Sequence, residues 1–195
     1  MRSRDRHSFE TNGEVYFITS TVVGFVSVFV HEDLCRIFVD CVDFCQRRGD
    51  FVLLAWVLMP NHFHLIVKRN ETSDISKIVG NLKRFTSRKI GEKLVELGMN
   101  DILSNLKQAA LQEPAQDSSV WKPRFDSLVI TNESTLRQKT EYIHFNPVRK
   151  GLAANPAEWA YSSALAYAGA TDLILQVDTE WQCLGYKEVP SGKDS

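Results

Sequence analysis

Two rhythms of apolar residues alternate along this chain, one with the spacing of strands and one with that of helices. Glu14 to Val23 (EVYFITSTVV) is dense in β-branched and aromatic residues and reads as a strand. From His31 to Arg48 the apolar positions Leu34, Phe38, Cys41/Val42 and Cys45 recur at helical spacing, and Gly49 ends that helix. Phe51 to Leu58 (FVLLAWVL) is apolar without a break, which predicts a strand covered on both faces and placed at the centre of a sheet. Met59-Pro60-Asn61 has turn character, because Pro60 has no N–H to give to a ladder. His62 to Lys68 then pairs back as a third strand in a tight hairpin.

Ser73 to Leu97 predicts a long amphipathic helix with Ile75, Ile78, Val79, Leu82, Phe85 and Ile90 turned inward. Residues 100–119 hold helix-forming pieces but pass into the polar run QEPAQDSS, and are read as a loop or insertion. Arg124 to Thr131 is a fourth strand. Asn132 stands where an N-cap belongs for a helix running to about Phe145. Asn146-Pro147 is expected to stop that helix, since proline pushes the preceding residue out of the α region. The order β-α-β-β-α-β followed by a helix predicts an α+β fold of the ferredoxin-like, split βαβ type, an antiparallel sheet with helices on one face. A chain of 195 residues fits one domain, taken as 1–168, followed by an acidic C-terminal extension at 169–195.

Composition adds little to this picture, being that of an ordinary globular protein with 44% hydrophobic and 24% charged residues. Charges or a proline interrupt each apolar run before it reaches membrane-spanning length. The N-terminal MRSRDRHSFETNGE lacks the apolar core of a signal peptide, so a cytoplasmic location is expected. Cys35, Cys41, Cys45 and Cys183 show no CxxC pairing, and three of them share one predicted helix face, which suits free thiols.

Charge changes the picture more. Net charge is −1, yet from Lys68 to Lys93 eight bases stand against three acids, and after Gly151 six acids stand against two lysines. A basic middle of this kind suits either a polyanion-binding face or a solvated helix surface.

The candidate chemistry begins at VLMPNHFHLIV. On a strand, His62 and His64 point to the same face while Phe63 points into the opposite layer. Two convergent imidazoles make half of a metal site; the plainer reading is a hydrogen-bonded pair on a solvent-facing surface. Tyr142 and Asn146, four apart, share a helix face, so that Asn146 could offer a carbonyl oxygen as third ligand with Tyr142 pointing at the same ion. Their plainer readings are a half-buried amphipathic ring and a C-terminal stop signal. His144 faces elsewhere and reads as structural or phosphate-contacting.

Four blocks, MPNHFHLIV at 59–67, WKPRFD at 121–126, YIHFNPVRKGL at 142–152 and WAYSS at 159–163, resemble in order and register those of the HUH single-strand transposases with one catalytic tyrosine. The similarity is greatest to the branch of REP-associated tyrosine transposases, and it spans most of residues 10 to 168. It implies that His62 and His64 are the metal-binding pair, Tyr142 the nucleophile, and Asn146 the third ligand, where relatives outside the branch have glutamine. It further implies a divalent Mg2+ or Mn2+ ion, a single-stranded DNA substrate with palindromic hairpins, and a monomer or homodimer. The connection at 100–119 is longer than the family's typical one, and residues 170–195 match nothing in it.

For the DNA, Lys77, Arg84 and Arg88 form a stripe on the second helix, with Lys83 beside it, while Lys122, Arg124, Arg149 and Lys150 flank the proposed site. Trp121 and Phe125 suit either base stacking or core packing. Two other classes stay open at this point: a domesticated, non-catalytic nucleic-acid-binding module of the same fold, and a small-molecule metallohydrolase, which would need a carboxylate near the hairpin.

Overall fold

A computed structural model describes residues 14–112, 120–181 and 184. The expected N-terminal segment, the polar run of the insertion at 113–119, Cys183, and the acidic residues Glu188 and Asp194 lie outside the described residues. The strands are β1 (Val15–Thr21), β2 (Phe51–Met59), β3 (His62–Arg69) and β4 (Asp126–Ile130), and the main helices α1 (Glu32–Arg47), α2 (Ile75–Glu96), α3 (Asn100–Ala110) and α4 (Glu133–Arg149). They form one antiparallel sheet in the order β2-β3-β1-β4.

Alternation along the inner strands separates two cores. Ile18 of β1 and Phe63, Leu65 and Val67 of β3 join Leu34, Phe38 and Val42 of α1 and Ile78, Leu82 and Ile90 of α2. Val15 of β1 and Ile66 of β3 join Leu136 and Ile143 of α4 on the other side. The helices expected on one face are therefore α1 and α2, the crossover helices; α4 covers the opposite face, the one to which His62 and His64 point. No described helix is long and apolar enough to cross a membrane.

Several expectations are corrected. β2 is an edge strand rather than a central one. Its unbroken apolar run reflects cover from three directions. A bulge between Leu53 and Ala55 turns Leu54 and Ala55 together towards the α4 side. Along its outer edge, Leu58 N donates to Tyr161 O, Ser163 N to Trp56 O, and Asp178 N to Leu53 O. Residues 161–163 of the domain, with Asp178 of the C-terminal extension, thus supply the missing neighbour, and Leu175, Trp181 and Leu184 are buried in the two cores. An edge closed this way offers no template to another chain.

The segment from Asn100, read as a loop, holds α3, in which Ile102, Leu103 and Leu106 pack on the core at helical spacing. Phe85 is 44% exposed rather than inward. α4 starts as expected, Asn132 Oδ1 accepting from Thr135 N at 2.7 Å, but passes through Asn146-Pro147 to Arg149. Pro147 sits in the last turn, where it forgoes one hydrogen bond to the preceding turn, and the helix closes beyond it. Gly151 (φ +69°) donates to Val148 O and Leu152 to Pro147 O, a glycine-dependent C-cap. Asn146 is accordingly inside the helix and buried, not at a frayed end.

Candidate active site

β3 and α4 bring His62, His64, Tyr142 and Asn146 together. The imidazoles of His62 and His64 lie 4.9 Å apart edge to face, and Tyr142 meets His64 at 5.3 Å. Asn146 Nδ2 is 3.2 Å from His64 Nε2. One helical turn separates Tyr142 from Asn146, so the ring lies beside the histidine that the amide touches.

Both histidines are anchored through Nδ1. Asn61 Nδ2 donates to Phe25 O at 3.2 Å, which turns Asn61 Oδ1 towards His62 Nδ1, 2.7 Å away. An amide oxygen only accepts, so His62 Nδ1 carries the proton and Nε2 keeps its lone pair. His64 Nδ1 lies 2.7 Å from Thr19 Oγ1, and its Nε2 faces Asn146. Phe17 stacks on the His64 ring at 5.3 Å and fixes its plane. A metal-binding histidine is held in this manner, its Nδ1 in a hydrogen bond and its Nε2 turned into the site.

Burial, then the nearby His62 and Lys139, pushes the His64 imidazole down to about 3. Burial, followed by the Lys150 charge, also lowers His62, with the Asn146 hydrogen bond opposing. Both rings are neutral at physiological pH, the state in which imidazole binds metals. Asn146 Oδ1 is buried and has no hydrogen-bond partner, the cost of which is ordinarily met by a missing ligand or ion. Two imidazole Nε2 atoms, that of His64 facing Asn146 Nδ2, and one orphaned amide oxygen fit a divalent ion of the Mg2+ or Mn2+ type. Among the described residues no group of three His, Cys, Asp or Glu side chains could hold a metal, so this mixed set is the candidate.

Tyr142 is 38% exposed, so part of this residue is open to a substrate. Cations surround it: Arg149 lies 5.4 Å and Lys139 5.7 Å from its ring centre. Lys150 acts on His62. Lys139 escaped the sequence reading although its spacing, three before Tyr142, put it on the same helical face. Thr19, Phe17 and Asn61 escaped it too; the first two reach His64 only through the β1–β3 register, Thr19 opposite His64.

The other named residues divide. Lys122 lies near this end of the sheet, its N–H donating to Thr21 O and Thr21 pairing with His62; Arg124 is exposed in the same segment. Lys77, Arg84 and Arg88 are exposed on α2, which packs against the other face of the sheet, away from the histidines. Lys83 is not a surface cation: it is buried, and its ammonium donates to the carbonyls of Lys122, Pro123 and Arg124. Trp121 is fully buried and donates to Thr86 Oγ1, and Phe125 packs against the core. His144 proves structural, with Nε2 2.9 Å from Ser163 Oγ and its ring against Tyr167.

Known proteins share this fold. The REP-associated tyrosine transposase of Escherichia coli K12 is 26% identical over 118 residues, which are 60% of this chain and 57% of that protein. A putative REP-associated tyrosine transposase of Haemophilus influenzae is 23% identical over 154 residues, 78% of this chain and 81% of its own. A solved structure of a REP-associated tyrosine transposase bound to a REP hairpin shares the fold, with a TM-score of 0.62 at 20% identity over 91% of this chain and 93% of that one. The sequence model of the family described as "Transposase IS200 like" matches residues 26–146, from the turn after β1 through both histidines and Tyr142 to Asn146. With that match over more than half its length, the chain belongs to the IS200-like transposases.

Proposed function

We propose that this transposase nicks and rejoins single-stranded, hairpin-bearing DNA through a 5′-phosphotyrosine linkage at Tyr142, with a divalent metal held by His62, His64 and Asn146. The observation that carries the reading is the buried, unpartnered Asn146 Oδ1 beside two anchored imidazoles, with Tyr142 one turn away on the same helix. Magnesium or manganese, when bound, withdraws charge from the scissile phosphate. Manganese suits two imidazole donors better, because nitrogen is a poor ligand for magnesium.

Tyr142 Oη attacks phosphorus in line, forming the tyrosyl O–P bond as the P–O3′ bond breaks. The departing 3′ oxygen takes a proton and becomes a free hydroxyl, while the phenol proton is lost to solvent. Lys139 and Arg149, on the faces of the ring, stabilise the negative charge that develops on the phenol oxygen and phosphate. His62 and His64 stay neutral throughout and serve as lone-pair donors. Because the phosphotyrosine keeps the energy of the phosphodiester, a 3′-hydroxyl from another strand can reverse the step and free Tyr142, joining the strands without external fuel.

The test is a hairpin oligonucleotide with single-stranded flanks, incubated with manganese and resolved on a denaturing gel. Wild type should give a covalent protein–DNA adduct, lost on adding EDTA and absent from Tyr142→Phe. An undiminished adduct in Tyr142→Phe would falsify the assignment. DNA binding without adduct under either metal would instead mark a non-catalytic binding module.

A further inference from the structure

The turn between β1 and α1 carries a residue the cleavage chemistry does not use. Phe25 is 62% exposed and holds φ at +55°, directly after Gly24 at +58°. A phenylalanine in the left-handed region is strained, and such strain persists where the surroundings dictate the backbone. They do so here. Val22 and Val23 are fully buried, Val22 N donates to Asn61 O, Val23 N to Val120 O, and Val26 N to Val23 O. Gly24 is pressed against α3, where a Cβ would come within 2.6 Å of Ala109 Cβ. The result is an apolar side chain set out in water by a fixed backbone.

That ring does not stand alone. The Lys122 ammonium lies 4.1 Å from its centre, and Lys122 N donates to Thr21 O, opposite His62 in the sheet. Asn61 joins the turn to the site with a single amide, donating to Phe25 O and accepting from His62 Nδ1. Two other exposed phenylalanines carry guanidinium groups, Phe44 under Arg48 and Phe85 under Arg88, but each pair is local to α1 or α2, on the far side of the sheet. Phe25 and Lys122 are joined by tertiary structure beside the histidines.

We propose that Phe25 and Lys122 form a nucleotide platform at the mouth of the site. Phe25 stacks a base of the single strand flanking the scissile phosphate, and Lys122 holds an adjoining phosphate. An aromatic face accepts any base, so this platform positions the strand without reading it. In naming DNA as the ligand the proposal rests on the cleavage reading above.

Binding is measured by fluorescence anisotropy with the hairpin oligonucleotide in EDTA, where no cleavage intervenes. Phe25→Asn is the informative variant, since asparagine adopts positive φ readily and should keep or raise the thermal midpoint. It should weaken binding about tenfold or more, and Phe25→Trp should restore it. Replacing the stacked nucleotide by an abasic one should weaken wild type to a similar degree and Phe25→Asn no further. Wild-type affinity in Phe25→Asn, or an abasic effect undiminished in it at every flanking position, would overturn the platform. The two readings fail separately. Adduct formation with Phe25→Asn binding as wild type refutes the platform alone; Phe25-dependent binding without adduct refutes the cleavage chemistry alone.

Discussion

The two faces of β3 live under different rules. Phe63, Leu65 and Val67 enter the layer beneath α1 and α2 and are essentially inaccessible, Phe63 lying against Phe38 and Trp121. His62 and His64 face α4, among Phe17, Thr19, Tyr142 and Asn146, and there a buried acceptor is left without a partner. The first face is filled by apolar packing and supplies stability, although Ser20 Oγ, Ser87 Oγ and Trp56 Nε1 are also buried there without partners. The second is anchored just as firmly, each imidazole by a hydrogen bond, yet incomplete until something enters it. A single strand keeps the two apart because its side chains alternate.

Substitution at adjacent positions should separate them. His64→Ala should lower adduct formation at least about a thousandfold, since a metal ligand contributes several kcal/mol to the transition state, while the circular dichroism spectrum stays that of the wild type. Phe63→Ala should behave in the opposite sense. It removes a fully buried ring and should cost about 3–5 kcal/mol in urea unfolding, with adduct yield per folded molecule unchanged at low temperature. If Phe63→Ala abolished chemistry in folded protein, or if His64→Ala retained it, the division between the faces would be wrong.

What was legible in the sequence follows the same division. Spacing within one element is local, so the shared face of His62 and His64, and that of Tyr142 and Asn146, could be read from numbers alone. Cover supplied from far along the chain could not. β2 reads as central because its residues are buried on both sides, and only the strand-like contacts of 161–163 and Asp178 along its edge reveal why. Pro147 misled for a related reason: the rule that stops a helix there is local, whereas burial of Asn146 and Pro147 against the sheet is not. Lys83 was legible in principle. It lies on α2 with Val79, Leu82, Thr86 and Ile90, positions that repeat on one inward face.

A smaller effect should come from the contacts that hold α4 in place. Ser163 Oγ accepts from Trp56 N at 2.9 Å and lies 2.9 Å from His144 Nε2, tying the middle of α4 to the edge of β2. Burial pushes His144 down to about 4, so the ring is neutral and depends on that one polar partner. Ser163→Ala should cost about 1–3 kcal/mol or more by stranding both His144 Nε2 and Trp56 N. Adduct yield at saturating DNA should stay within about tenfold, since no ligand of the site is removed. A loss as large as that of His64→Ala would mean that the clasp, and not the ligand set, limits the chemistry.

The apolar face also buries a charged side chain, and it titrates. Lys83 is buried on α2, its ammonium donating to three carbonyls of the 122–124 segment. Burial pushes its amine down from 10.5 to about 8, so it remains mostly protonated at neutral pH. The unfolded chain binds that proton more tightly than the folded one does. Stability should therefore rise as pH climbs from about 8 towards 10.5, where the folded protein has already shed the charge and the unfolded chain has not. Other groups titrate in the same range, so the measurement is a difference: urea midpoints at successive pH values for wild type and for Lys83→Met, which fills the same space without a charge. The wild type should gain on the variant across that window and on neither side of it. A constant gap would mean that the three carbonyls fully replace the water Lys83 has lost, and that this face tolerates a charge at no cost.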